Sequence, residues 1–384
     1  MSKALLASLG AFAVALAAAG GPGRASLPGR SATLDNPAVT YYVATDGDDA
    51  HDGRSPRRVR GSHGPFRTLR RAAAAVKAGD TVAVRGGTYE EASTWAVDGA
   101  EGRPITIEAY ENEAVLIRGR SHKLPPGTYG SLLHVSGRWV TVRGLDVGYS
   151  SWYGVTVSGE HCRVEGVFAH HNWSSGIVFS GSYGLVVDCR AFNNSLINER
   201  YRPHNGTWGF GISACRHPTS TTIRRSVAWD NWGEGISTFE STGTTIEDCI
   251  SYNNQQNFYI SDTTFCAFRR NLSYFTPGNM IQPYETQTGI LMGDEKRNPP
   301  SANNTVINNV VWGGKRNIAI GRGVFENGLV ANNTFVEAAG APGAEPANVW
   351  INAGRYRNAR FVNNLVVQHG RPVIALVDAR GVVF

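Results

Sequence analysis

The stretch from His171 to Asp262 repeats itself, and a chain that repeats has few folds open to it. HNWSSGIVFSG (171–181), GTWGFGISACR (206–216), DNWGEGISTFE (230–240) and NNQQNFYISD (253–262) align on Ile177, Ile212, Ile236 and Phe258. Trp173, Trp208 and Trp232 each fall four positions before that apolar anchor. Asn172 and Asn231 fall five before it and Asn254 four before it, with Thr207 at the equivalent place in the second unit. Four positions after the anchor come Gly181, Arg216, Glu240 and Asp262, and the following units add Asp294 and Arg322. A period of roughly 22 to 35 residues, built from short β runs that close on Asn-Asn or Asp-Asn, is the mark of a solenoid. The expected fold is all-β: a single-stranded parallel β-helix of about 10 to 11 coils. Stacked coils hold equivalent residues about 4.8 Å apart, so the tryptophans and the carboxylates each become a ladder.

The 384 residues, 41% of them hydrophobic, suffice for a sizeable core, and the repeats argue for one elongated domain. Met1 to Ala19 carries one charge, Lys3, then an apolar run and small residues, which reads as a secretory signal peptide over 1–25. A Gly/Pro/Ser-rich leader follows over 26–40 and the β-helix domain over 41–384. No other run is long and apolar enough for a membrane span. The mature protein is therefore expected to be exported, whether extracellular, periplasmic or at the cell surface. The chain stops at Phe384 part-way into a coil, so that edge is expected to be either truncated or covered by a partner chain.

Five cysteines in an exported chain raise the question of disulfides. Cys189 and Cys249 share one repeat position two coils apart, with Ser226 between them, about 9 to 10 Å by stacking. That exceeds what a disulfide spans, so buried free thiols are expected. Net charge is +6, carried almost wholly by arginine. Guanidinium matches carboxylate in a bidentate way, so an acidic polysaccharide is the partner this surface suits. The export signal and the lack of a basic helix or Lys-rich tail disfavour nucleic acid.

Along the chain, YYVATDGDDAHDGRSP (41–56) gives a β run and an Asp/Gly turn, whose Asp46, Asp48, Asp49 and Asp52 read as turn residues rather than calcium ligands. PFRTLRRAAAAVKA (65–78) has helical spacing and predicts a short helix capping the open end of the solenoid. Coils are expected to begin near Ile105, Leu132, Val155, Ile177, Ile212, Ile236, Phe258, Ile290, Ile318, Val349 and Val373, most with a second β run such as RVEGVFAHHN or LVVDCRAFNN. Insertions at 195–207, 275–288 and 294–302 are expected on one face, the usual binding face of a solenoid.

The opening YYVATDGDDAHDGRSP, then GPFRTLRRAAAAVKAGDTVAVRGGTY, then the NN-terminated coils, resembles the secreted right-handed parallel β-helix proteins of the pectate-lyase-like superfamily over about 42–384. The resemblance implies a right-handed helix and a glycan-active protein. The superfamily holds polysaccharide lyases, uronan epimerases, glycoside hydrolases and binding proteins, so it implies fold more sharply than reaction. Its calcium-dependent pectate lyases carry an Asn-Ser-Asp-Asp-Gly motif and a lysine base. Here that stretch reads DNWGEGIST (230–238), leaving Asp230 and Glu234, and no lysine lies between Lys123 and Lys296. The Asp-Pro-His-Asp motif of alginate epimerases and the Asp pairs of polygalacturonases are absent.

The candidate site follows from the registers. Trp173, Trp208 and Trp232 either stack on sugar rings or fill a corner of the coil. Glu240, Asp262 and Asp294, flanked by Arg216 and Arg322, either bind calcium or form a row of ion pairs, because three stacked carboxylates cannot all stay ionised uncompensated. β-Elimination on a uronate needs its carboxylate neutralised (Arg202 or Arg216, with or without calcium), a base (His204, or an arginine made ready by burial) and an acid (Tyr201 or Tyr259). Hydrolysis needs two carboxylates, which Glu234, Glu240 and Asp262 could supply.

Overall fold

The computed structural model describes residues 39–119, 130–201, 208–280, 287–296, 300–321, 323–339, 347–352, 354–370, 373–376 and 379–384. The chain divides into units 1–38 and 39–384, and the signal-peptide and leader readings lie outside the described residues up to position 38. Residues 39–384 form the expected parallel β-helix. Each coil contributes short strands to three sheets, as Arg163–Glu165, Phe168–His170 and Ile177–Phe179 do in turn. The sheets hold 15, 11 and 11 strands, here called first, second and third in the order a coil visits them.

The anchors that aligned the repeats are one row of the third sheet. Ile177, Ile212, Ile236, Phe258, Ile290, Ile318 and Val349 pair in succession, and all are buried in the core. Three coil starts need correction. Ile105 lies in the first sheet, paired with Val140, and the register partners of Val155 and Val349 are the buried Leu133 and the exposed Ile374, one residue on from Leu132 and Val373. The second β run of each coil is two strands in two sheets. A residue with left-handed backbone splits it, at Gly166, Asp188, Arg225, Asp248, Arg270, Asn308, Asn332 and Asn363. Asn and Asp tolerate that conformation better than most side chains, and five of these eight positions are Asp or Asn.

Two polar ladders run inside the corners. Between the second and third sheets, Asn172 Nδ2 donates to Asn194 Oδ1, Asn194 to Asn231, and Asn231 to Asn254, at 2.8, 3.0 and 2.8 Å. Asn194, not Thr207, therefore occupies the second place in the row. The insertion enters after the asparagine, so counting back from Ile212 lands on the wrong residue, and Thr207 itself lies outside the described residues. Between the first and second sheets, Cys189 N donates to Ser226 Oγ and Cys249 N to Asn271 Oδ1, and the row continues through Asn309 and Asn333 to Asn364. All five cysteines are free and buried, as the stacking argument expected.

The capping helix is shorter than the spacing predicts, Leu69–Ala73, with Thr68 accepting from Arg71 N as its N-cap. Asp49 accepts from Arg67 N, Thr68 N and Thr68 Oγ1, and Asp52 from Arg54 N, so these two aspartates hold turns. Among the described residues no helix is long and apolar enough to cross a membrane.

Candidate active site

The outer face of the third sheet carries the groups with chemical potential. Side chains alternate along a strand, so in Glu234–Phe239 the core takes Ile236, and Ser237 points outward. Ser237 Oγ donates to Ser213 Oγ at 2.8 Å, and its register partner on the next coil is Tyr259. Ser213, Ser237 and Ser261 are nevertheless buried. Polar groups on an outward face lose water only where something lies over them, and the inserted segments do so. Residues 294–296 fold back across Ser261, whose Oγ accepts from Glu295 N at 3.3 Å, and Tyr259 donates its hydroxyl proton to Glu295 Oε1. The segment 195–197 lies along the opposite corner, bonded to backbone carbonyls of Ser174, Asn172 and Trp173.

Glu234 stands in this covered strip, only 7% exposed. Burial raises its carboxyl to about 8, against a smaller opposing effect of a hydrogen bond with Ser237, and the nearby Glu295 charge raises it further. The acid is therefore largely protonated at neutral pH. Burial also pushes the Tyr259 phenol well above its ordinary value, with Glu234 and Glu295 adding to the shift. Arg216, exposed at the strand end, donates from Nη2 to Tyr153 Oη at 2.9 Å and stands over that ring. Among the described residues no carboxylate forms an ion pair with this guanidinium, and the phenol it meets is neutral.

The carboxylate row exists in register: Arg216, Glu240, Asp262 and Asp294 each follow the paired strand ends Cys215, Phe239, Ser261 and Gly293. Its oxygens are engaged by the chain. Lys296 Nζ lies 2.7 Å from Glu240 Oε1. Asp262 accepts from Lys296 N at 2.7 Å, from Glu295 N at 3.0 Å and from Ser261 Oγ at 2.7 Å. Asp294 Oδ1 accepts from Ser301 N. Calcium takes about six to eight oxygens, and among the described residues no three His, Cys, Asp or Glu side chains converge to offer them. The row as it stands does not suit calcium. Lys296 reaches the site by this route, but Glu240 raises its pKa, opposite to what a lysine base requires.

Of the three tryptophans, Trp232 is buried and Trp173 and Trp208 are half-buried, with the neighbouring Asn172 and Asn231 turned inward as ladder members. Tyr201 ends a 3-10 segment, Leu196–Tyr201. Arg202 and His204 lie outside the described residues, and Arg322 likewise. Sequence reasoning missed Glu295 and Lys296, although both sit directly after Asp294. It also missed a longer aromatic stack on the second sheet. His170, Phe192, Trp229, Tyr252, Tyr274 and Trp312 stack at centroid distances of 5.0, 4.5, 5.9, 4.8 and 4.8 Å, within 20° of parallel. The signal was there: an aromatic directly before the left-handed corner residue in coil after coil. These rings cover one another's faces along the helix axis.

A family model described as Pel9A-like, right handed beta helix region, matches residues 41–270. The chain belongs to that family. Among curated relatives of this Pel9A-like chain, pectate lyase L of Dickeya chrysanthemi is 26% identical over 305 residues, covering 74% of this chain and 67% of that protein. Pectate lyase L of Paenibacillus polymyxa is 24% identical, covering 73% of this chain and 67% of that protein. The crystal structure of pectate lyase Pel9A superposes with a TM-score of 0.53 at 17% identity, over 89% of this chain and 78% of that one. At that identity the likeness speaks for the fold.

Proposed function

We propose that this Pel9A-like protein is an exported polysaccharide lyase that cleaves a uronate-containing glycan by β-elimination on the outer face of the third sheet. The observation that carries the reading is the buried Glu234, whose carboxyl burial raises to about 8, on the face that also bears Arg216, which pairs with no carboxylate among the described residues. The pectate lyase relatives support the substrate class.

In this reading Arg216 neutralises the uronate carboxylate and so acidifies the adjacent C5 proton. That proton passes to Tyr259 as the phenol hands its own to Glu295, the bonded acceptor. The C4–oxygen bond breaks, the electron pair from C5 forms the C4–C5 double bond, and Glu234 protonates the departing glycosidic oxygen. Trp173, Trp208, Trp232 and Tyr201 are the proposed sugar contacts, with Arg202 and His204 of the adjoining insertion as further carboxylate and proton-transfer candidates. These steps need no metal. A calcium ion at Glu240, Asp262 and Asp294 would require Lys296 to leave Glu240 and the turn to give up its caps.

The test is incubation with polygalacturonate, polymannuronate and glycosaminoglycans while following ultraviolet absorbance of the unsaturated uronate. Appearance of that product, lost in Glu234→Gln, is the expected outcome. No product from any of them would sink the reading. A second reading, glycoside hydrolysis, is favoured by the same raised Glu234 with Glu295 as a second carboxylate. New reducing ends without absorbance would select it, and retention of glycan without cleavage would select a binding solenoid.

A further inference from the structure

The third sheet continues past the strip around Glu234, and its next coils contain a cation, Arg316, with no carboxylate paired to it among the described residues. Glu234, Gln256, Thr288 and Arg316 occupy one register on four successive strands. By strand spacing Arg316 thus lies about 14 Å from Glu234 along the helix axis. Its guanidinium carbon sits 3.8 Å from the centre of the Trp350 ring on the following coil, a contact that fixes the plane of the group. Arg316 is only partly exposed, and its buried Nε has no hydrogen-bond partner among the described residues. No carboxylate there pairs with it either, and burial lowers its pKa.

Unsatisfied polar atoms recur along the same edge. Gln255 Oε1 and Gln287 Nε2, on the two preceding coils, are buried without partners among the described residues, and Arg316 N donates to the backbone carbonyl of Gln287 at 3.2 Å. Buried polar groups are normally satisfied, and those that are not call for a missing partner. Here the set contains an acceptor, a neutral donor and a cation in a row. Of these only Arg316 is partly exposed, and a chain of acidic sugars offers a carboxylate for its planar fork.

We infer that Arg316, held flat on Trp350, is a carboxylate-recognising subsite for an acidic sugar of the same glycan, three coils from Glu234. The inference rests on the proposed acidic-glycan reading and deepens it. The subsite fixes the polymer's register by gripping a carboxylate away from the bond that breaks, so it contributes to binding in ground state and transition state alike.

The experiment uses the full chain with polygalacturonate and with the same polymer fully methyl-esterified, measuring retention by affinity electrophoresis and, separately, KM and kcat. In Arg316→Met, retention by polygalacturonate should weaken about 10-fold and KM rise by a similar factor, with kcat within twofold of wild type. Arg316→Lys should recover part of the loss, because it restores charge without the planar fork. The methyl ester should bind both variants and wild type equally weakly. Trp350→Leu, which leaves the cation but frees it, should give an intermediate loss. Circular dichroism and melting temperature establish that each variant is folded. Unchanged retention of polygalacturonate by folded Arg316→Met overturns the subsite while leaving the lyase reading intact. Arg316-dependent retention without cleavage keeps the subsite and overturns the lyase reading. Absence of any retention or cleavage of polygalacturonate and polymannuronate by wild type overturns both.

Discussion

Lys296 holds its ammonium 2.7 Å from Glu240 Oε1 while its own backbone N–H donates to Asp262. One residue of the 294–296 turn therefore compensates two members of the carboxylate row. With those charges answered by the chain, calcium is not needed to hold the row together. We expect addition of millimolar calcium, or of a chelator, to shift the melting temperature by less than about 2 °C, which calorimetry would record. A larger calcium-induced rise would show that the ion displaces Lys296. Because the ion pair is exposed on the lysine side, Lys296→Ala should leave the denaturant midpoint nearly unchanged.

Glu234 gives the protein a pH signature. Its carboxyl is raised from 4.5 to about 8 by burial, so between those values the folded state binds more protons than the unfolded chain. Stability linked to this group is full below the unfolded pKa and is lost as pH rises through about 8, on the order of a few kcal/mol. Glu234→Gln should flatten the decline in melting temperature between pH 5 and 8, and it should lower kcat about 100-fold or more by removing the proton donor. A decline as steep in the variant as in wild type would assign the effect to other groups, Asp230 first among them, since burial raises it to about 6.

The asparagine ladder is expected to be intolerant of truncation. Asn231 Oδ1 accepts from Asn194, and its Nδ2 donates to Asn254 and to the Ala191 carbonyl. Asn231→Ala leaves those buried partners unsatisfied at a cost of roughly 1–3 kcal/mol each. Denaturant midpoints should therefore fall strongly, and Asn231→Asp, which keeps the acceptor and loses the donor, should still fall short of wild type.

On the second sheet, Trp229 lies between Phe192 and Tyr252. Trp229→Ala should destabilise by about 2–4 kcal/mol through lost ring burial and stacking, with glycan affinity unchanged because these ring faces are not open to a ligand. A loss of affinity in a folded variant would mean that the stack, and not only the third sheet, meets the glycan.

How much of this could be read in advance differs by element. The parallel β-helix, the Ile177–Ile212–Ile236–Phe258 row and the unpaired cysteines follow from the repeat, because a solenoid turns a constant sequence offset into a constant spatial one. Arg216, Glu240, Asp262 and Asp294 do share a register for the same reason. What the offset could not give is which way a corner faces and what folds over it. Thr207 was misplaced because an insertion breaks the count. Each carboxylate of the row was found, but its partner was not, since Lys296 and Glu295 reach the row through a turn that leaves the repeat. The chain's own period thus determined the coil, its core and its registers. Only the tertiary structure decided that Glu234 is buried with its carboxyl raised, that Tyr259 meets Glu295, and that Arg316 rests on Trp350 with no carboxylate paired to it among the described residues. Burial and pairing depend on neighbours brought from other coils and from inserted loops, which no periodicity encodes.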